Sequence, residues 1–277
     1  MRSGIPIQVA NLGQNCRTML DDPHKQRASG IEARGVTKTF GPVTAVRDLN
    51  LQVASGTLFG FLGPNGSGKS TAIKLLTGLL APTTGEMRVA GHTVSPQNID
   101  LRRLIGILPE DAALFHSLTI WEHLELSGPL YGLSRHDTRE RAIQLLRHLD
   151  LERDSGTYID QASYGMRKKC ALAMALLHNP QILFLDEPFE GIDPGSSRNI
   201  KDLLLTLAGK GVTVFVTSHI LEVVERLITH FAIIIRGEVV CCQTVADAQR
   251  GGMTLEDVYF QHAGKPATGN LAWLGSH

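Results

Sequence analysis

Apolar positions along the chain fall into short runs broken by polar and glycine-rich turns, and their spacing changes from one region to the next. Residues 1–30 show no clean period, and the polar stretch from Asp21 to Arg27 interrupts any emerging face. This stretch reads as an N-terminal extension or a flexible lead outside the fold. From Ile31 the pattern turns β-like. Val43–Val46 and Leu49–Val53 alternate as half-buried strands do, and Thr57–Leu62 reads as a buried strand running into a glycine-rich turn. The spacing predicts a helix over Ser70–Leu79, closed by a turn at Pro82–Gly85. Between about 100 and 178 the helical signal dominates. Thr119 and Glu122 have capping-box spacing, and Ser134 caps a helix in which Ala142, Leu145, Leu146 and Leu149 form one stripe. Ile182–Leu185, Val212–Val216 and Phe231–Ile235 are short apolar strands separated by helical segments. Such alternation predicts an α/β fold with a mostly parallel central sheet covered on both faces.

Composition narrows the class. The chain has 277 residues and is 43% hydrophobic, enough for a sizeable core. Its longest apolar run, Cys170 to Leu177, is less than half of the roughly 20 residues that a membrane-crossing helix needs. The N-terminus carries no apolar stretch of secretory type, so a soluble, cytoplasmic chain is expected. Lys plus Arg (27) balances Asp plus Glu (27), which offers no bulk-charge footprint for nucleic acid. The cysteines, Cys16, Cys170, Cys241 and Cys242, form no C-x-x-C pair, and Cys241 and Cys242 fall on opposite faces of a strand as small hydrophobes.

Gly63, Pro64, Asn65, Gly66, Ser67, Gly68, Lys69, Ser70 and Thr71 fit G-x-x-x-x-G-K-[ST] directly after a strand and before a helix. In that context the glycines let backbone N–H groups turn toward a phosphate, and the helix N-terminus adds its positive dipole end. Lys69 is expected to reach the β- and γ-phosphates and Ser70 to ligate Mg²⁺. Ile182–Leu185 then ends in Asp186 and Glu187. A buried strand that closes on paired acids suits a metal-holding aspartate and a glutamate acting as general base; a helix-capping cluster is the other reading. His219 follows the strand Val212–Thr217, where it could bridge a phosphate and the attacking water or simply cap a surface helix.

This ordered set, phosphate loop, acidic strand and strand-end histidine, resembles the ATP-binding cassette superfamily. Further residues carry the resemblance. Ala162, Ser163, Tyr164, Gly165 and Met166 lie where that family has its L-S-G-G-Q signature, with Ser163 and Gly165 matching. Gly191, Ile192, Asp193 and Pro194 match its D-loop, and Phe40 matches the aromatic residue that stacks on adenine. The likeness is strong over about 31–241. The Ser-x-Gly-Met signature resembles the cassettes of two-component exporters, whose membrane subunit is a separate chain.

The resemblance implies a P-loop NTPase core with an N-terminal antiparallel β part and a helical subdomain inserted between Q-loop and signature. It implies a cassette over 31–245, with the helical subdomain at about 100–178, and a C-terminal helix and tail over 246–277. ATP and Mg²⁺ are the implied cofactors, with Phe40, Ser163, Gly165 and Asp193 joining the phosphate loop in holding nucleotide. Glu110 stands where the family usually has its Q-loop glutamine, so a carboxylate replaces an amide as the third metal-site group beside Ser70 and Asp186.

One phosphate loop and one signature in a chain imply a dimer, formed with a second copy or a homologous cassette. The implied activity is ATP hydrolysis driving export through a separate transmembrane permease, which would hold the chain at the inner face of the membrane. Leu114, Phe115, Leu118, Ile120 and Trp121 read either as docking anchors for that permease or as interior packing. The competing reading is a soluble cassette ATPase acting on nucleic acid or ribosomes, but the long coiled-coil insertion or second cassette typical of such proteins is not in this sequence.

Overall fold

The computed structural model describes residues 29–264. The extension read at 1–30 therefore lies almost wholly outside the described residues, as does the end of the tail.

Two sheets organise the chain. β1 (Ser29–Phe40) pairs antiparallel with β2 (Val43–Ala54) and with β4 (Thr84–Val89), and β5 (His92–Thr93) completes the order β2-β1-β4-β5. The turn read at Pro82–Gly85 is thus shorter than expected, because Thr84 and Gly85 already belong to β4. The second sheet has six strands: β3 (Leu58–Leu62), β6 (Ile105–Leu108), β7 (Ile182–Asp186), β8 (Thr213–Ser218), β9 (His230–Ile235) and β10 (Glu238–Thr244). Their order is β10-β9-β3-β8-β7-β6, parallel throughout except for the β9–β10 hairpin. This is the mostly parallel sheet expected from the alternation of strands and helices, with the antiparallel β part beside it.

Strands of this sheet read as continuous apolar runs because both faces are covered. In β3, Leu58 and Leu62 face one core while Phe59 and Phe61 face the other. The second core, between the two sheets, is centred on Phe215, whose ring lies 5.5 Å from Phe59, 5.4 Å from Phe61 and 5.6 Å from Phe184. α1 (Lys69–Leu76) packs into that same core through Ala72, Ile73, Leu75 and Leu76.

The first core holds the helical side of the molecule. α3 (Ile120–Leu130), α4 (Arg135–His148) and α5 (Tyr164–Leu176) pack there through Ile120, Leu124, Ala142, Leu146, Cys170 and Leu172. Within the 100–178 region α2 (Ile99–Leu104) runs directly into β6, so one strand of the central sheet lies inside the stretch where helical signal dominates. After β7 come α6 (Pro194–Gly209), α7 (Leu221–Glu225), α8 (Val245–Arg250) and α9 (Leu255–Ala263). Cys241 packs against the first core and Cys242 against the second, on opposite faces of β10. None of the described helices is long and apolar enough to cross a membrane.

Candidate functional site

β3, β8 and β7 are neighbours in register, with Leu62 opposite Ser218 and Thr217 opposite Asp186. Three loops therefore leave the same carboxyl edge of the parallel sheet side by side, where ligands of open α/β sheets bind.

The loop from Gly63 to Gly68 is wedged between two other segments. A Cβ at Gly63 would lie 2.3 Å from the Ile234 carbonyl, and one at Gly68 would lie 2.5 Å from the Ala45 carbonyl. Gly68 also has φ +108°, a conformation that side chains rarely tolerate. The β9–β10 turn, Arg236 and Gly237, holds the loop from outside: Gly237 N donates to Ser67 O at 2.9 Å, and Arg47 N donates to Gly237 O at 2.8 Å. α1 begins at Gly68 without any side-chain cap, leaving first-turn N–H groups for an anion. Lys69 is nearly buried, and its ammonium donates to the Gly63 carbonyl at 2.8 Å and the Pro64 carbonyl at 3.3 Å.

Glu187 meets this lysine. Its Oε1 lies 3.3 Å from Lys69 Nζ and 2.9 Å from His219 Nδ1, although the imidazole contact is not aligned as a hydrogen bond. His219 N donates to Glu187 Oε2 at 3.4 Å. Both Lys69 and Glu187 side chains are only 6% exposed, so each needs the other's charge. Thr217 links the two acids: its hydroxyl donates to Asp186 Oδ1 at 2.5 Å and accepts from Glu187 N at 3.0 Å. Glu187 adopts φ +47°, in the left-handed region. Across the cleft, Ser70 Oγ donates to Glu110 Oε2 at 3.4 Å. The cleft has a volume of about 610 Å³ and is lined by Lys69, Ser70, Thr71, Glu110, Glu187 and Arg236 among others.

Asn65, Gly66, Gly68, Lys69, Ser70, Thr71, Glu110 and Glu187, all expected from sequence, line one cleft, with Asp186 and His219 bonded or packed beside it. Phe40, Ser163, Gly165 and Asp193 are not among its lining residues. Phe40 is half exposed at the end of β1, opposite Val43 of the cleft wall, with the Lys38 ammonium 5.2 Å from its ring centre.

Ser163 caps α5 by accepting from Met166 N, and Asp193 caps α6 by accepting from Ser196 N at 2.9 Å. Those bonds from Ser196, side chain and backbone, hold the Asp193 carboxyl below its usual range. The signature and the D-loop touch each other instead of the cleft: the Tyr164 ring covers Gly191 so closely that a Cβ there would lie 2.5 Å from it. Among the proposed docking anchors, Ile120 is fully buried core, Phe115 is well exposed, and Leu114 and Trp121 are half-buried against the core.

Sequence reasoning passed over four contributors. Thr217 is the first polar residue after the apolar run Val214–Val216 of β8, a break in pattern that could have been read. Arg236 and Gly237 carry a turn pair but no motif. Lys168 on α5 is buried, and its ammonium donates to the Glu187 carbonyl and, at 3.4 Å, to the Glu190 carbonyl. Burial pulls its pKa down, opposed by the carboxylates of Glu190, Glu187, Glu110 and Asp186.

Comparison with known proteins identifies the family and the fold. A family model described as ABC transporter matches residues 46–190. A linearmycin resistance ATP-binding protein of Bacillus subtilis (strain 168) is 35% identical over 81% of this chain and 73% of its own length. A daunorubicin resistance ATP-binding protein of Streptomyces coeruleorubidus is 37% identical over 86% of this chain and 75% of its own. Among solved structures, an ATP binding subunit of an ABC transporter matches with TM-score 0.78 and 30% identity, over 83% of this chain and 98% of that one. An ATP-binding cassette in a dimeric, post-hydrolysis state bound to ADP and Pi matches with TM-score 0.72 and 29% identity, over 77% of this chain and 98% of that one.

Proposed function

The chain belongs to the ABC transporter family, and from that premise we propose that it is the ATP-hydrolysing subunit of an exporter, working as a dimer of cassettes on a separate membrane-spanning subunit. The observation that carries the reading is the convergence of Lys69, Glu187 and His219 at the mouth of the phosphate loop, within 3.3 Å of one carboxylate oxygen.

Lys69 exchanges the loop carbonyls of Gly63 and Pro64 for β- and γ-phosphate oxygens, held there by the N–H groups of the glycine loop and of α1. That exchange withdraws Lys69 from Glu187, whose carboxylate then accepts the proton of the attacking water. His219 fixes that carboxylate by its backbone N–H, which donates to Oε2, and sets its imidazole beside Oε1. Phe40, at the rim next to Val43, offers its exposed ring to the base.

Ser70, Asp186 and Glu110 suit Mg²⁺, since they are oxygen donors and the Ser70 and Glu110 oxygens already approach to 3.4 Å at the cleft. When bound, the ion supplies charge neutralisation on the phosphates. Ser163, Gly165 and Asp193 are not among the residues that line this cleft, and in this reading they serve the nucleotide of a second cassette. Export is supported by the two resistance ATP-binding relatives, and docking of the membrane subunit by the exposed Phe115 and the small groove lined by Pro109, Ala112, Leu114 and Tyr131. In this reading the chain sits at the inner membrane face through that subunit, without nucleic acid.

Purified protein carrying Glu187→Gln is expected to bind ATP and lose most turnover, whereas Lys69→Ala loses binding itself. Normal turnover of Glu187→Gln removes the base assignment, and unaltered binding by Lys69→Ala overturns the phosphate-loop reading. Affinity purification of the tagged chain from mild-detergent extracts is expected to bring down a multi-span membrane protein in stoichiometric amount.

A further inference from the structure

Lys168 lies on α5 one turn beyond Tyr164, only 4% exposed, among neighbours such as Cys170, Ala171 and Leu172 that are ordinary core residues. An apolar side chain would suit such a position, because a buried ammonium is costly unless its charge is compensated. Among the described residues no carboxylate lies within ion-pair distance of it. Its partners are instead the carbonyls of Glu187 and Glu190 and the face of the Tyr164 ring, 5.4 Å from the ammonium. The charge is spent on two backbone dipoles and one ring, all belonging to the signature or to the segment joining Glu187 to the D-loop.

The Glu187 end of this contact is conformationally demanding. The residue sits at φ +47°, where a side chain is unfavourable, so its peptide must be held from outside. On the N–H side the Thr217 hydroxyl accepts; on the carbonyl side Lys168 donates, and Glu190 N donates at 3.2 Å. Thr217 ties Glu187 to the sheet. Lys168 is the long-reach bond from a separate helix, the one that begins with Ser163, Tyr164 and Gly165. The Lys168 side chain therefore joins α5 to the backbone that carries Glu187 beside Lys69 and His219.

We infer that Lys168 is a positioning residue for Glu187, joining the signature helix to the carboxylate that activates water. The inference rests on Glu187 being the base, but it is tested separately. The full-length chain is prepared as Lys168→Met, which keeps length and loses the charge, and as Lys168→Arg, which keeps a cation. ATP binding, kcat and KM are measured for each, together with thermal stability, and Lys168→Met is repeated in the Glu187→Gln background.

Lys168→Met is expected to lower kcat about tenfold or more, with KM and the number of ATP sites per chain nearly unchanged. Lys168→Arg should recover a substantial part of kcat, and Lys168→Met should add nothing to the residual rate of Glu187→Gln. An unchanged kcat, an equal fractional loss in both backgrounds, or a loss that tracks the number of ATP sites overturns the proposal. A fully active Glu187→Gln protein is a different result: it removes the base assignment whatever Lys168→Met does.

Discussion

Glu187 combines two costs that rarely coincide, a left-handed backbone and a carboxylate almost wholly out of water. The backbone alone costs about 1–2 kcal/mol, and a buried charge stripped of its partner costs about 3–5 kcal/mol. Lys69, His219, Thr217 and Lys168 together make the arrangement stable: Lys69 and the His219 imidazole lie at one carboxylate oxygen, Thr217 takes the N–H and Lys168 the carbonyl. Thr217 is the clearest place to probe it. Thr217→Val keeps the shape and removes the hydroxyl, leaving the Glu187 N–H and one Asp186 oxygen without that partner. The variant should lose about 1–3 kcal/mol of stability in urea unfolding, and turnover should fall more than ATP affinity. An unchanged urea midpoint together with unchanged turnover would show that the hydroxyl holds neither acid.

Caps and close approaches decide the elements. The Thr119–Glu122 capping box, legible from spacing, closes in both directions, with Glu122 Oε2 accepting from Thr119 N at 2.7 Å and Thr119 Oγ1 accepting from Glu122 N at 3.1 Å. Ser134 caps α4 as read. β6 was not legible, because Ile105–Leu108 is a short apolar run that follows α2 without a turn, and periodicity cannot separate such a run from the end of a helix. Its strand character comes from pairing with β7. The α3–α4 contact is equally invisible in sequence. A Cβ on Gly128 would lie 2.0 Å from Thr138 Oγ1, so the helices approach as closely as glycine allows. Gly128→Ala should therefore destabilise the helical subdomain by about 1–3 kcal/mol, despite alanine's better helix propensity. Adding Thr138→Ala should return part of the loss; a gain in melting temperature from Gly128→Ala alone would mean that the helices can separate at no cost.

For the whole molecule, the signature lies against Gly191 and is not among the residues lining the cleft, so the proposed dimer would give each cassette half of two sites. Size-exclusion chromatography with light scattering should find Glu187→Gln at twice the chain mass in ATP and at the chain mass in ADP. The Lys69→Ala protein should remain at the chain mass in both. A Glu187→Gln protein that stays monomeric in saturating ATP would count against the paired-cassette reading.

What the sequence determined by itself is local: the phosphate loop, the acidic end of β7, the helix caps and the alternation that builds the parallel sheet. Each of these depends on conformations and hydrogen bonds spanning only a few residues. The tertiary structure alone decided that the Arg236–Gly237 turn clamps the phosphate loop, that Thr217 and Lys168 hold Glu187 from two sides, and that the signature is absent from the cleft lining while Phe40 stands beside it, opposite Val43. Those relations join residues far apart in the chain, and only the packing of two sheets and a helical layer sets the distances between them.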